Sequence, residues 1–326
     1  MKALIFDKIG IPQQVLYLAE LPIPVIGDND VLVRMVGASI NPGDFLFIQN
    51  LYPEPKKPVF PHQVGGGHGA GTIEKVGKNV MLKPGAFVAF SYYNTWSEYV
   101  AVPAEYLIEL PKDFPLEKAA QINNLVSAWD LLTDSGVEKG QWLALTAGNS
   151  SLSLIISQYA AQRGIKVVSI VRKQRPELGA QLTKATETIE LSKLEGSLKD
   201  KIMAVTGGWG VNGIIDNVGG PQLADLIKSV AFGSKLIVNG GMSREKFELH
   251  NFDILMTNLT IQAHIYRYLF APVQSSDFTM LSDIIEITKQ PDFYVHIGGK
   301  HQLEDFRSAV EATIQNPEKG KRFFVF

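Results

Sequence analysis

The sequence predicts a mixed α/β chain in two parts: a small, mostly antiparallel, barrel-like unit, and a doubly wound parallel sheet with helices on both faces. Three observations carry this reading. Residues 1–118 are short β-rich runs separated by dense Pro and Gly. From about Ala119 the period changes, and apolar strands alternate with amphipathic helical stretches up to Ala263. The final 60 or so residues mix helix and strand and most simply return to the first part.

In the first stretch, β-rich runs occur at Ala3–Phe6, Val31–Val36, Thr72–Val76, Phe87–Phe90 and Glu98–Val102. Between them lie Pro22, Pro24, Gly27, Pro42, Pro53, Pro55, Pro58, Pro61 and the Gly65–Gly67 run, which mark turns and leave no room for long helices. In the second stretch, strands are expected at Trp142–Thr146, Lys166–Val171, Thr188–Leu191, Val211–Asn217, Lys235–Asn239 and Leu259–Ile265. Helices are expected at Leu152–Arg163, near Glu177–Lys184, near Leu198–Val205 and at Pro221–Ala231. Strands separated by helices of this length imply right-handed crossovers and a parallel sheet covered on both faces. The tail carries helices near Asp277–Lys289 and Leu303–Ile314, then a strand Arg322–Phe326. The expected division is therefore 1–118 completed by 266–326, and 119–265. An active site is expected in the cleft between the two parts, beyond the carboxyl ends of the parallel strands.

Composition narrows the function. With 31 basic and 33 acidic residues and no long single-sign block, the chain offers no broad surface for nucleic acid or an anionic membrane. There is no cysteine, which excludes disulfides, thiolate nucleophiles, iron–sulfur clusters and Cys-dependent zinc sites. A charge at Asp7 after few apolar residues does not resemble a signal peptide, and no apolar run approaches the roughly 18 residues of a membrane span. A cytoplasmic protein acting on a small molecule is expected.

The first strand of the parallel sheet runs into Leu145-Thr-Ala-Gly-Asn-Ser-Ser-Leu-Ser-Leu154. A dinucleotide needs small residues here, so that backbone N–H groups and a helix N-terminus face its pyrophosphate. Gly148, Asn149, Ser150 and Ser151 meet that need, though a full G-x-G-x-x-G is absent and a serine-capped turn without a ligand fits equally. The next strand ends in Arg172-Lys173, where an NAD site places a carboxylate. Two cations suit a 2′-phosphate instead, and favour NADPH over NADH; a solvated strand end is the plain alternative. Turns at Asp216–Gly220 and Asn239–Met242 place Gly219, Gly240 and Gly241 at adjacent strand ends, with room for a flat ring, or serve as ordinary turn glycines.

Together these segments resemble the zinc-free medium-chain dehydrogenase/reductase superfamily, with quinone oxidoreductases and 2-enoyl thioester reductases most similar. The resemblance also rests on Ser39-Ile-Asn-Pro-Gly-Asp44, Ile48-Gln-Asn-Leu-Tyr-Pro53, Leu82-Lys-Pro-Gly85, Asn94-Thr-Trp96, Ser169-Ile-Val-Arg172, Asn217-Val-Gly-Gly220 and Asn239-Gly-Gly-Met242. It implies a GroES-like barrel beside a Rossmann domain, NADPH in the interdomain cleft, and a homodimer joined along the Rossmann sheet edge. Metal-dependent relatives carry a Gly-His-Glu segment where this chain reads Gly66-Gly-His-Gly69, so no metal site is expected and His68 reads as a turn or cleft residue. Ser151 and Ser153 stand where relatives have glycine or alanine.

Hydride delivery to a conjugated acceptor leaves negative charge that donors must stabilise, one good donor being worth about 3 kcal/mol. The resemblance matches Tyr52 to the catalytic tyrosine of enoyl-thioester reductases; a phenol stays protonated at neutral pH. Asn41 is a second catalytic candidate, bracing the loop with Asp44 or contacting nicotinamide, against simple turn chemistry. Trp96 and Tyr266 are candidates for the substrate pocket, with core packing the alternative for Trp96. The expected function is an NADPH-dependent, zinc-independent reductase of quinones, enones or 2-enoyl thioesters. The alternative is a dinucleotide-binding sensor or regulatory module without turnover.

Overall fold

A computed structural model of the chain describes residues 1–51, 57–269 and 271–326. Contacts divide it into two units, Met1–Leu125 with Tyr266–Phe326, and Val126–Ile265.

The first unit opens with eight strands: β1 Lys2–Phe6, β2 Tyr17–Glu20, β3 Asp30–Ile40, β4 Gln63–Val64, β5 His68–Val76, β6 Phe87–Ser91, β7 Tyr99–Pro103 and β8 Leu107–Leu110. The second unit adds β9 Trp142–Leu145, β10 Lys166–Val171, β11 Glu187–Glu190, β12 Val211–Asp216, β13 Val230–Val238 and β14 Thr260–Ala263. The chain then supplies β15 Ile297–His301 and β16 Lys321–Val325 to the first unit.

In the first unit β2, β1 and β4 make a small antiparallel sheet. The larger sheet runs β15-β16-β3-β5-β6-β8, with β7 also paired to β3. All its pairs are antiparallel except β15 with β16. Alternating residues of β3 (Val31, Val33, Met35) join Phe6, Phe47, Phe90, Trp96 and Phe324 in one core. The β15 strand departs from expectation, because Gly298-Gly299 reads locally as a turn and only its parallel pairing with β16 makes it a strand.

In the second unit the sheet order is β11-β10-β9-β12-β13-β14, all parallel. Counting strands within the unit, this is 3-2-1-4-5-6, the doubly wound dinucleotide-binding order. The chain reverses direction across the sheet between β9 and β12, so their carboxyl ends form the crevice where such sheets bind ligands. Helices Ser151–Gln162 and Leu198–Val205 connect strands as expected. The helix at Gln222–Ile227 is shorter than expected, because β13 already begins at Val230. The sequence reading names no element between Ala119 and Trp142, where the structure has a helix, Ile122–Asp134, that buries Leu125, Val126, Ala128, Leu131 and Leu132. Among the described residues, no helix is long and apolar enough to cross a membrane.

Candidate functional site

In the second unit, a polar network ties together the carboxyl ends of β9 and β12. The Thr146 hydroxyl donates to the Asp216 carboxylate at 2.7 Å and accepts from the Asn217 N–H at 2.7 Å. Asp216 in turn accepts from the backbone N–H groups of Val218 and Gly219. The Asn217 side-chain amide donates to Thr146 O and to Ser153 Oγ, and its oxygen accepts from the Asn239 amide at 2.6 Å. Side chains of Thr146, Asp216, Asn217 and Asn239 and the backbone groups beside them interlock, so the three turns are held as one floor.

The residues of the turn that follows β9 sit on that floor. Gly148 is obligatory, since a Cβ would meet Ser169 Oγ at 1.9 Å. Asn149 donates to Lys173 O at 2.9 Å, fastening the turn to the end of β10. Ser150 caps the helix Ser151–Gln162 by accepting from the Ser153 N–H. Ser153 is fully buried and its hydroxyl donates inward, to Thr146 O at 3.1 Å. Among the described residues, the backbone N–H groups of Ser151 and Leu152 find no acceptor. Two uncommitted N–H groups at a helix N-terminus can hold an anionic oxygen.

Arg172 and Lys173 are both exposed, and among the described residues neither has a carboxylate within ion-pair distance. Arg175, three residues on, is committed to Glu177 at 2.8 Å. Gly240 lies so close to Asn217 that a Cβ would sit 2.4 Å from its backbone oxygen. A side chain at Gly219 or Gly241 would meet nothing within 4 Å, so both border open space.

The first unit holds a second polar cluster. Asn41 is the N-cap residue of the helix Pro42–Ile48, its N–H donating to the Asp44 carboxylate at 2.7 Å. The Asn41 amide also donates to Ser39 Oγ, and its oxygen accepts from Lys321 Nζ at 2.6 Å. Asn41 is thus buried and engaged at both ends of its side chain. Burial pushes the Asp44 carboxyl up to about 7 despite N–H donors from Asn41 and Gly67. Burial also brings the Lys321 ammonium down to about 8, against the attraction of Asp44.

Beside them, His68 Nδ1 lies 2.8 Å from Ser91 Oγ, which lies 2.8 Å from the Tyr266 hydroxyl. Burial, aided by the Lys321 charge, depresses the imidazole to about 3, so His68 is neutral. His68 opens β5 and does not occupy a turn. Tyr266 is half-buried beside this pair.

Trp96 requires correction. It is fully buried, packs edge-on against Phe324, and donates to Ser39 O, so it belongs to the core and walls no pocket. The reason lies in Gly65 and Gly66, where a Cβ would fall 2.6 and 2.4 Å from the indole; the glycine run is its seat. Tyr52 lies outside the described residues. Ser91 and Lys321 are not among the residues the sequence singles out; Lys321, the first residue of β16, reaches Asn41 from another strand. Among the described residues, no three His, Asp or Glu side chains gather as a metal site.

Two family models match the chain: an alcohol dehydrogenase GroES-like domain over residues 27–112 and a zinc-binding dehydrogenase over residues 152–302. The mouse mitochondrial enoyl-[acyl-carrier-protein] reductase is 30% identical over 261 residues, covering 75% of this chain and 67% of the relative. Among solved structures, Escherichia coli quinone oxidoreductase complexed with NADPH superposes with a TM-score of 0.86 at 20% identity, covering 100% of both chains. The mitochondrial 2-enoyl thioester reductase heterodimer from Candida tropicalis gives 0.85 at 21% identity, covering 100% of this chain and 99% of that one.

Proposed function

This chain belongs to the medium-chain dehydrogenase/reductase superfamily, alongside enoyl reductases and quinone oxidoreductases, and from that premise we propose an NADPH-dependent, zinc-independent oxidoreductase acting on a conjugated acceptor. Quinones, enones and 2-enoyl thioesters are the acceptor classes. One observation carries the cofactor assignment: uncommitted Ser151 and Leu152 N–H groups at a helix N-terminus, with Arg172 and Lys173 free of carboxylates at the next strand end.

The residues present fit NADPH. Ser151 and Leu152 would hold the pyrophosphate, Arg172 and Lys173 the 2′-phosphate, and the open space at Gly219 and Gly241 would admit the flat ring. When bound, NADPH supplies the hydride. The protein's share is to hold the acceptor, steady the negative charge it gains and deliver one proton. In this reading Tyr52 donates to the acceptor's carbonyl oxygen, while Asn41, Asp44 and Lys321 brace the helix Pro42–Ile48 that leads into the Tyr52 loop. Two copies associate along β14, the last strand of the parallel sheet, whose four residues are all exposed.

The sensor alternative rests on the serines that stand in this turn where relatives have glycine or alanine. Ser153 turns its hydroxyl inward, which supports a turn still open to pyrophosphate. The experiment is an NADPH fluorescence titration followed by NADPH consumption with a quinone and with a short 2-enoyl thioester. Binding and turnover of either acceptor are expected. Tight binding without consumption would favour the sensor, and absence of binding would remove both readings.

A further inference from the structure

His68, Ser91 and Tyr266 form one hydrogen-bonded file within the first unit, with 2.8 Å between each neighbouring pair. Strand register makes it: His68 and Ser91 sit directly opposite each other on β5 and β6, so their side chains share a face. Tyr266, next along the file, sets its ring edge-on to the imidazole at 5.9 Å. The following residues fix that segment, with Arg267 Nη1 2.8 Å and the Tyr268 hydroxyl 3.1 Å from the Asp277 carboxylate.

Building on the reductase reading above, we propose that His68 and Ser91 are a proton relay that recharges the Tyr266 phenol as the acid of the reaction. Each member can both donate and accept a hydrogen bond, which a relay requires and a carboxylate could not supply. Hydride addition leaves the acceptor one proton short. The Tyr266 O–H bond breaks as that proton passes to the reduced acceptor. The Ser91 hydroxyl proton moves to Tyr266 Oη, the His68 Nδ1 proton moves to Ser91 Oγ, and a water proton is taken up at His68 Nε2. One proton enters from solvent and one leaves at the phenol, while the hydride's two electrons come from NADPH. His68 begins and ends neutral and exchanges one tautomer for the other. Burial beside Lys321 fits this, because it disfavours the imidazolium that a simple acid would need. His68 as a residue keeps part of its surface exposed, which leaves a route for water. Tyr52 and Tyr266 then divide the work, the first donating to the carbonyl oxygen and the second supplying the proton.

The test uses Ser91→Ala, Ser91→Thr and Tyr266→Phe in the full chain. Ser91→Ala is expected to lower kcat about tenfold to a hundredfold while NADPH affinity and acceptor KM stay within about twofold. Ser91→Thr, which keeps a hydroxyl, restores kcat to within about threefold of the parent on the same scale. Nitrogen NMR of the His68 ring in the cofactor-free Ser91→Ala protein is expected to show altered tautomer populations with no change of charge. Wild-type turnover matched by an unaffected Ser91→Ala protein would overturn the relay and leave the reductase reading standing. If Ser91→Ala does not fold, Tyr266→Phe carries the same expectation, and full activity there overturns the relay. A wild-type chain that reduces no acceptor overturns both.

Discussion

Lys321 Nζ donates to the Asn41 side-chain oxygen at 2.6 Å, so the last strand steadies a helix cap 280 residues earlier in the chain. The cost of this arrangement is two buried ionisable groups, Asp44 and Lys321, each pushed toward its neutral form.

That cost gives a pH signature. Asp44 rises from 3.8 to about 7, so the folded chain favours its protonated form. Its contribution to stability is full below pH 3.8 and is lost as pH climbs to about 7. Lys321 falls from 10.5 to about 8, so its contribution is full above 10.5 and is lost as pH falls to about 8. Together the pair is least favourable between about pH 7 and 8. Carboxylates such as Asp7 and Glu117, which are lowered by their hydrogen-bond partners, act in the opposite sense on the acid side. The comparison is therefore between variants: Asp44→Asn, melted at a series of pH values, should gain on the wild type as pH rises from 4 to 7. Parallel curves would mean that Asp44 is not the group responsible.

Ser153 and Ser151 look alike in the sequence and differ in the structure. Ser153 is sealed and shares hydrogen bonds with Thr146 O, Ser150 Oγ and Asn217 Nδ2. Ser153→Ala should cost about 1–3 kcal/mol, because it removes three hydrogen bonds from a largely buried network. Ser151→Ala should stay within about 0.5 kcal/mol. Thermal melts of the two variants read the difference directly; equal losses would show that the network does not depend on Ser153.

The contrast marks how far the sequence was legible. Pro/Gly density identified the antiparallel unit and period the parallel sheet, because strand–helix alternation is a local signal. Trp96 was not legible. Its burial depends on Gly65 and Gly66, about thirty residues away, and a turn-forming glycine and a seat-forming glycine are spelled the same way. Ser91 and Lys321 escaped for a related reason, since each gains its meaning only from a partner on another strand. The helix Ile122–Asp134 escaped despite its amphipathic pattern, which lies at the change of period between the two stretches.

In the proposed NADPH reading, Arg172 is the position that decides cofactor choice. Arg175 is held by Glu177, so the cations left at this strand end are Arg172 and Lys173. Arg172→Glu removes a charge-assisted donor and sets a carboxylate where a 2′-phosphate would lie, and should weaken NADPH binding at least about tenfold. NADH has no 2′-phosphate, and its affinity should move by less than about threefold. Fluorescence titrations with both nucleotides make the comparison, and equal losses would end the 2′-phosphate role.

The outer edge of β14 offers the remaining test. All four of its residues are exposed, and Phe252, Leu255, Met256 and Ile261 expose large apolar side chains in the same stretch of chain. An exposed edge strand carries unpaired N–H and C=O groups and invites another strand. Two copies related by a two-fold axis would pair β14 with β14, extend the parallel sheet into a longer one and cover the same apolar residues on both sides. A lysine on such an edge opposes pairing, because the symmetry sets like charges against each other. Light scattering should therefore find twice the chain mass for the wild type and the single-chain mass for Ile261→Lys, with unchanged circular dichroism. A monomeric wild type, or a dimer indifferent to the lysine, would mean that copies do not meet along this strand.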